Sequence, residues 1–364
     1  MKIDFKSMDG RMKKLYSALW KDFDFDFYSI KATIENTKSS RYPGSSSDSY
    51  SFTGNDDQVQ LLMEIFDIHK DIHKEELFNK KYEMAVSGSG QEEQKIVTLH
   101  SSSLCALLHF YNVTKDNPLV LRGMETDKKK RDIIFTESVF EYKSKVIRTP
   151  SNMDIILMGK DVDTNEDIVL FLESKFSEYY TSASSTCKGI SQKYLNNKYG
   201  ADLYKDNVLT RLGLKRNSTD TKNFELVSMS EPFYIGGIKQ MISHYIGIRN
   251  VLDKNYYTDP HNNSKQKKVE KAIETGNGGK GAIVILGEIV FDRFIGDLEM
   301  KPGLKCGEIY SQKYEILADE IGKLIKHEKV ERFEILKKEL GYSLFMKNGH
   351  EIEPQIRVFY REIE

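Results

Sequence analysis

Ser151-Asn-Met-Asp154-Ile-Ile-Leu-Met-Gly159 and Ile168-Val-Leu-Phe-Leu-Glu173-Ser-Lys175-Phe176 are the two stretches that decide how this chain folds. Each is a short apolar run bounded by polar residues, the pattern of a β-strand. Between them, Lys160-Asp-Val-Asp-Thr-Asn-Glu-Asp167 is polar and predicts a turn. In an antiparallel hairpin, facing residues have position numbers with a constant sum. A turn centred between Asp163 and Thr164 therefore sets Asp154 opposite Glu173. Side chains alternate along a strand, so Lys175 shares the face of Glu173. Two carboxylates and an ammonium converge on one patch of an apolar hairpin. Charges on a buried strand are costly unless they are paired or bound to a metal.

Outward from the hairpin, residues 133–147 hold one or two strands, and Gly281-Ala-Ile-Val-Ile-Leu-Gly-Glu-Ile-Val-Phe291 is another strand. His100 to Tyr111 predicts a helix, capped by its serines, with Leu104, Leu107, Leu108 and Tyr111 as the apolar stripe. A second helix spans about Glu231 to Asn250, with Pro232 tolerated in its first turn. Others cover about Gln58 to Lys81 and about Gln312 to Leu340, the latter with Leu317, Ile321, Leu324 and Ile325 on one face. Residues 1–35 read as helical or mixed, and 37–57 as an exposed loop. Residues 177–230 form a long polar insertion. The stretch 254–281 is polar and flexible with room for a short helix, and 355–361 alternates like a closing strand. Mixed strands and helices in one span predict a single α/β core with insertions. The expected divisions are a mostly helical region at 1–95, a core at 96–300, and a helical extension with its closing strand at 301–364.

A chain of 364 residues with 39% hydrophobic content supports a sizeable core. Its 54 Lys and Arg balance 55 Asp and Glu, so any polyanionic partner has to meet a local basic patch, not an average field. Cys105, Cys187 and Cys306 are few and far apart, which argues against a disulfide framework or a cysteine zinc cluster. No segment approaches the ~18–20 apolar residues that span a bilayer, so no membrane partner is expected and the expected compartment is the cytoplasm.

The carboxylate pair has a direct chemical use. A hard cation such as Mg²⁺ binds through one or two carboxylates plus water and substrate phosphate. Asp154 and Glu173 are the expected ligands, with the backbone carbonyl of Ser174 beside them as a third. Lys175 is placed to position an attacking water or to offset charge growing on a phosphate. This pattern, Asp on one strand and Glu-x-Lys on the next, resembles the PD-(D/E)XK, or restriction-endonuclease-like, nucleases. Asp154 matches the Asp, and Glu173 and Lys175 match the Glu-x-Lys. The Pro of the pattern is displaced, since Met153 precedes Asp154 and Pro150 lies further upstream. The wider context FEYKSKVIRTPSNMD and VLFLESKFSEYY is similar to a family of bacterial restriction endonucleases. The resemblance covers roughly residues 100–291. It implies a mixed central β-sheet flanked by helices and Mg²⁺-dependent (or Mn²⁺-dependent) cleavage of phosphodiesters, with DNA, double-stranded, as the expected partner. A homodimer is compatible with it. Gln240-Met-Ile-Ser-His244-Tyr245 resembles the polar helix motif that some members carry after the Glu-x-Lys strand, and makes Gln240 a candidate catalytic residue. Some members also have an acidic residue upstream of the Asp, for which Glu141 is the candidate.

Plainer alternatives stand beside each of these. Asp154, Glu173 and Lys175 also suit a structural ion cluster, and a non-catalytic nucleic-acid-binding module suits the same fold. Asp161 to Asp167 superficially resembles a calcium loop but has Glu166 where glycine is required. Gly276-Asn-Gly-Gly-Lys-Gly281 lacks the Ser or Thr of a phosphate loop and precedes a strand instead of following one. Lys265, Lys267 and Lys268, in the polar stretch 254–281, are the expected contacts to DNA phosphates.

Overall fold

A computed structural model describes residues 10–21, 33–38, 48–53, 57–87, 96–147, 149–178, 183–258, 263–292, 305–346 and 350–362. In chain order these form α1 (Gly10–Trp20), β1 (Thr33–Lys38), β2 (Asp48–Thr53), α2 (Gln58–Ile65), α3 (Ile72–Val86) and α4 (Ser102–Phe110). Then come β3 (Leu119–Glu125), β4 (Lys130–Lys145), β5 (Pro150–Asp161), β6 (Asp167–Lys175), β7 (Thr186–Ser191), α5 (Asp206–Arg211), β8 (Leu214–Ser218) and β9 (Asn223–Ser228). The chain continues through α6 (Ile235–Leu252), α7 (Asn263–Gly279), β10 (Ile283–Val290), α8 (Cys306–His327), β11 (Phe333–Ile335), β12 (Leu340–Gly341), α9 (Tyr342–Met346) and α10 (Pro354–Phe359).

The protein is α/β. Its main sheet runs β11–β10–β6–β5–β4–β3, with β12 also beside β10. β3 to β6 are antiparallel neighbours, while β6, β11 and β12 all lie parallel to β10. The hairpin has the expected register: Ile155 faces Leu172 and Lys160 faces Asp167. Its turn closes because the Asp161 carboxylate accepts from the backbone N–H groups of Asp163 and Thr164 at 3.1 and 3.0 Å, while Asn165 adopts the left-handed conformation at φ 56°. Every residue of β6 from Ile168 to Lys175 is buried, as a central strand covered on both faces must be.

At the far end from the turn the sheet forks. The β5–β6 ladder stops at Ile155 and Leu172. β5 continues along β4 to the Lys145–Pro150 pair, and β6 continues along β10 to the Lys175–Val290 pair. Asp154 and Glu173 are the first residues past the split.

Helices cover both faces. α6 and α8 reach Glu173 and Glu288 on one face. On the other, the carbonyls of Phe110 and Ser102 in α4 accept from Ser138 and Ser174. The chain ends meet: Trp20 Nε1 donates to the Phe359 carbonyl at 3.0 Å, and Arg361 Nε to the Leu19 carbonyl at 2.6 Å. No helix among the described residues is long and apolar enough to cross a membrane.

Several sequence expectations are corrected. The stretch 37–57 is not all loop: β1 and β2 pair antiparallel, with Tyr50 and Phe52 in the core. The insertion at 177–230 folds into a three-stranded sheet, β7–β9–β8, around buried Leu214, Phe224 and Leu226. The stretch 254–281 holds the helix α7, anchored by buried Val269 and Ile273 one turn apart, whose backbone leaves helical geometry at Gly276, Asn277 and Gly278. The helix expected to run to Leu340 ends at His327 and is followed by two short strands. The closing strand is the helix α10, because Pro354 occupies a first-turn position and Ile356, Phe359 and Tyr360 bury at helical spacing.

Candidate active site

Glu173 is the hub. It is only 3% exposed. Lys175 Nζ donates to its Oε1 at 2.6 Å, and Gln240 Nε2 to the same oxygen at 3.0 Å. His244 Nε2 lies 2.9 Å from Oε2. An ionised carboxylate only accepts, so that nitrogen carries the proton. His244 Nδ1 is held in turn by Ser151 Oγ at 2.7 Å. Gln240 and His244 are one turn apart on α6, as their spacing requires. A Cβ on Gly247 would overlap Ser144 Oγ, so glycine is what lets α6 settle this close to β4 and press both side chains onto Glu173. Gln240 Oε1 accepts from Lys175 Nζ and from Tyr234 OH, both at 3.0 Å.

The electrostatics follow from these contacts. Burial by itself would raise the Glu173 pKa; Lys175 and His244 more than reverse this and bring it down to about 2. Burial would likewise discharge Lys175, but Glu173 and the more distant Tyr234, Glu178 and Glu288 hold its pKa well above the ordinary lysine value. The pair is an ion pair at neutral pH, and Lys175 is an acid or a fixed charge, not a base.

Asp154 is the opposite case. It is partly buried and accepts the Ser174 N–H across the fork at 2.7 Å. Burial, then the charges of Glu173 and Glu141, push its pKa well above the carboxylate range. Glu141 stands on β4 between Phe140 and Tyr142, which face Ile155 and Met153, so it is level with Asp154. It takes a left-handed φ of 54° there.

One further acid had not been singled out. Glu288 on β10 faces Glu173 directly. It is fully buried, and Tyr310 OH donates to both its oxygens at 2.8 Å. Burial raises its pKa to about 8, against the opposing pull of Lys175 and Tyr310. Its signal was a lone acid inside the apolar run Ile283–Val290. Four acidic positions thus line up across four strands: Glu141, Asp154, Glu173 and Glu288.

Among the described residues, no group of three or more His, Cys, Asp and Glu side chains gathers as a metal cage. Mg²⁺ commonly takes only one or two carboxylates, so the oxygen donors of Asp154, Glu173 and the Ser174 carbonyl fit it chemically, and a cation there would oppose the rise in the Asp154 pKa. The lysines assigned to DNA lie elsewhere. Lys265 is 2% exposed and donates to Met84 O and Ser87 Oγ, Lys268 pairs with Glu137, and Lys267 is exposed on α7. Comparisons with family models, curated proteins and solved structures find no match for this chain.

Proposed function

We propose that this protein is a metal-dependent nuclease that hydrolyses DNA phosphodiesters, in the manner of a bacterial restriction or anti-phage enzyme. The observation that carries the proposal is the asymmetry at the fork. Glu173 is locked ionised by Lys175, His244 and Gln240, while burial and the neighbouring acids Glu173 and Glu141 oppose the ionisation of Asp154, level with it, and Lys175 and the Ser174 N–H only partly offset them, so that a bound cation would be what ionises it. Asp154, Glu173 and the Ser174 carbonyl would hold Mg²⁺, or Mn²⁺ in its place, which when bound polarises the phosphodiester and acidifies a water. Lys175, kept charged in a dry site, offsets negative charge as it grows on the phosphate. Gln240 and His244 touch no substrate in this scheme; they hold Lys175 and Glu173 in place.

One observation favours a rival. Both Glu173 oxygens already have protein partners, as a structural ion cluster in a non-catalytic nucleic-acid-binding module would have. Nicking of supercoiled plasmid separates the two. The nuclease predicts cutting with Mg²⁺ or Mn²⁺, silence in chelator, and loss of cutting in folded Asp154→Asn and Lys175→Met variants. Cutting that survives both substitutions, or no cutting of any DNA with either metal, overturns it.

A further inference from the structure

The β3–β4 ladder ends at Leu119 and Phe135, so among the described residues no strand pairs with the outer side of the later half of β4. α3 and the first turn of α7 close over that edge. They leave a cavity of about 310 Å³, lined by Lys80, Lys81, Glu137, Ser264, Lys265 and Lys268 among others. We propose that this cavity binds a phosphate group, at a site separate from the carboxylate cluster and independent of its function.

Four ammonium groups surround one carboxylate, and Glu137 is already paired with Lys268. Lys81 is 5% exposed and donates to the Ser138 carbonyl, plugging the bare edge of β4. A neutral amide would do that without burying a charge. Burying an ammonium is expensive unless an anion answers it. Burial, together with repulsion from Lys80 and Lys268, brings the Lys81 pKa down to about 8, and Glu137 only partly opposes this. The first turn of α7, at Ser264 and Lys265, brings the positive pole of the helix to the cavity wall. The volume sits near the lower end of the roughly 300–1,000 Å³ usual for small-ligand sites. It admits one phosphate with a modest substituent, or a single backbone phosphate presented at its mouth.

The test is calorimetric titration of the whole chain with inorganic phosphate at fixed ionic strength in chloride. Saturable binding is expected. In the rim variant Lys80→Gln/Lys268→Gln, which removes only exposed charges, affinity is expected to fall about tenfold or more with an unchanged circular dichroism spectrum. A pH series with sulfate, whose charge is constant across the range, adds a second readout. Lys81 is faced by Lys80 from its own helix, Glu137 from β4 and Lys268 from α7. Sulfate affinity should therefore hold below pH 8 and weaken above it, and Lys81→Met should abolish that step. Absence of saturable phosphate binding, or equal affinity in the rim variant, overturns the proposal. Competition identifies the source of the phosphate. A mononucleotide that displaces phosphate where a short DNA duplex does not marks a free phosphate ester, and displacement by the duplex marks a backbone contact.

Discussion

Asp154 and Asp161 stand at the two ends of the paired part of β5, and both face charged residues on neighbouring strands. At the turn end, Arg131 NH1 donates to Asp161 at 2.6 Å, while its Nε donates to Glu334 at 2.9 Å. Thr126 Oγ1 also donates to Glu334, at 2.8 Å, and Lys129 lies 3.7 Å from Asp161. Burial would raise the Asp161 pKa, but the Thr164 N–H and Arg131 hold it below the usual range. At the fork end, no arginine among the described residues answers Asp154, Lys175 does so only in part, and its pKa goes up. Both ends bury carboxylates. Asp161 is held ionised by its partners, and Asp154 is pushed towards its neutral form at the place where the sheet opens.

The sharpest way to break this contrast is to open the closed end. Arg131→Met would leave Asp161 and Glu334 buried without their cation, at a cost of roughly 3–5 kcal/mol. Thermal unfolding should register this as a clear drop in Tm. Asp154→Asn should do the reverse, with Tm unchanged or raised at pH 8 while DNA cutting falls about 10³-fold. Equal destabilisation by the two substitutions would erase the distinction. A smaller effect comes from the cation itself. Saturating Mg²⁺ should stabilise the wild type by about 2.7 kcal/mol at a hundred times its Kd and leave Asp154→Asn unmoved. A pH-dependent effect belongs to Glu288, an acid whose folded pKa is raised to about 8. Its term is fully present below the ordinary carboxylate range and is lost as pH rises towards 8, at up to about 1.4 kcal/mol per pH unit. In metal-free protein, Glu288→Gln should flatten that part of the stability profile. The smallest effect belongs to exposed Lys267. If it touches a DNA phosphate, Lys267→Gln should reduce the salt slope of binding by about 0.9.

The hairpin was legible because two local rules sufficed. A polar turn fixed the register, and alternation placed Glu173 and Lys175 together. Gln240 and His244 followed from helical spacing. Glu288 was not legible, because its partner lies more than a hundred residues earlier and parallel pairing leaves no turn from which to count. α7 was only faintly legible, since Val269 and Ile273 mark its buried face and Lys265 and Gln266 are the other residues it buries in its first turns. The strand expected at 355–361 failed for the opposite reason: an alternating run this short is shared by both periods, and Pro354 decides between them.

The contacts that join Trp20 to Phe359 and Leu19 to Arg361 set an order of events on the ribosome. The hydrogen bond of the Trp20 indole spans 339 positions. At about 5–20 residues per second, translation needs tens of seconds to deliver the second partner. Through that interval the indole is made but has no carbonyl to meet, so α1 reaches its final contacts only after α10 is made, although Tyr16 and Trp20 can already meet Tyr50, His100 and Phe176. A ribosome-stalled chain lacking α10 should therefore leave α1 accessible to protease while the central sheet is already protected.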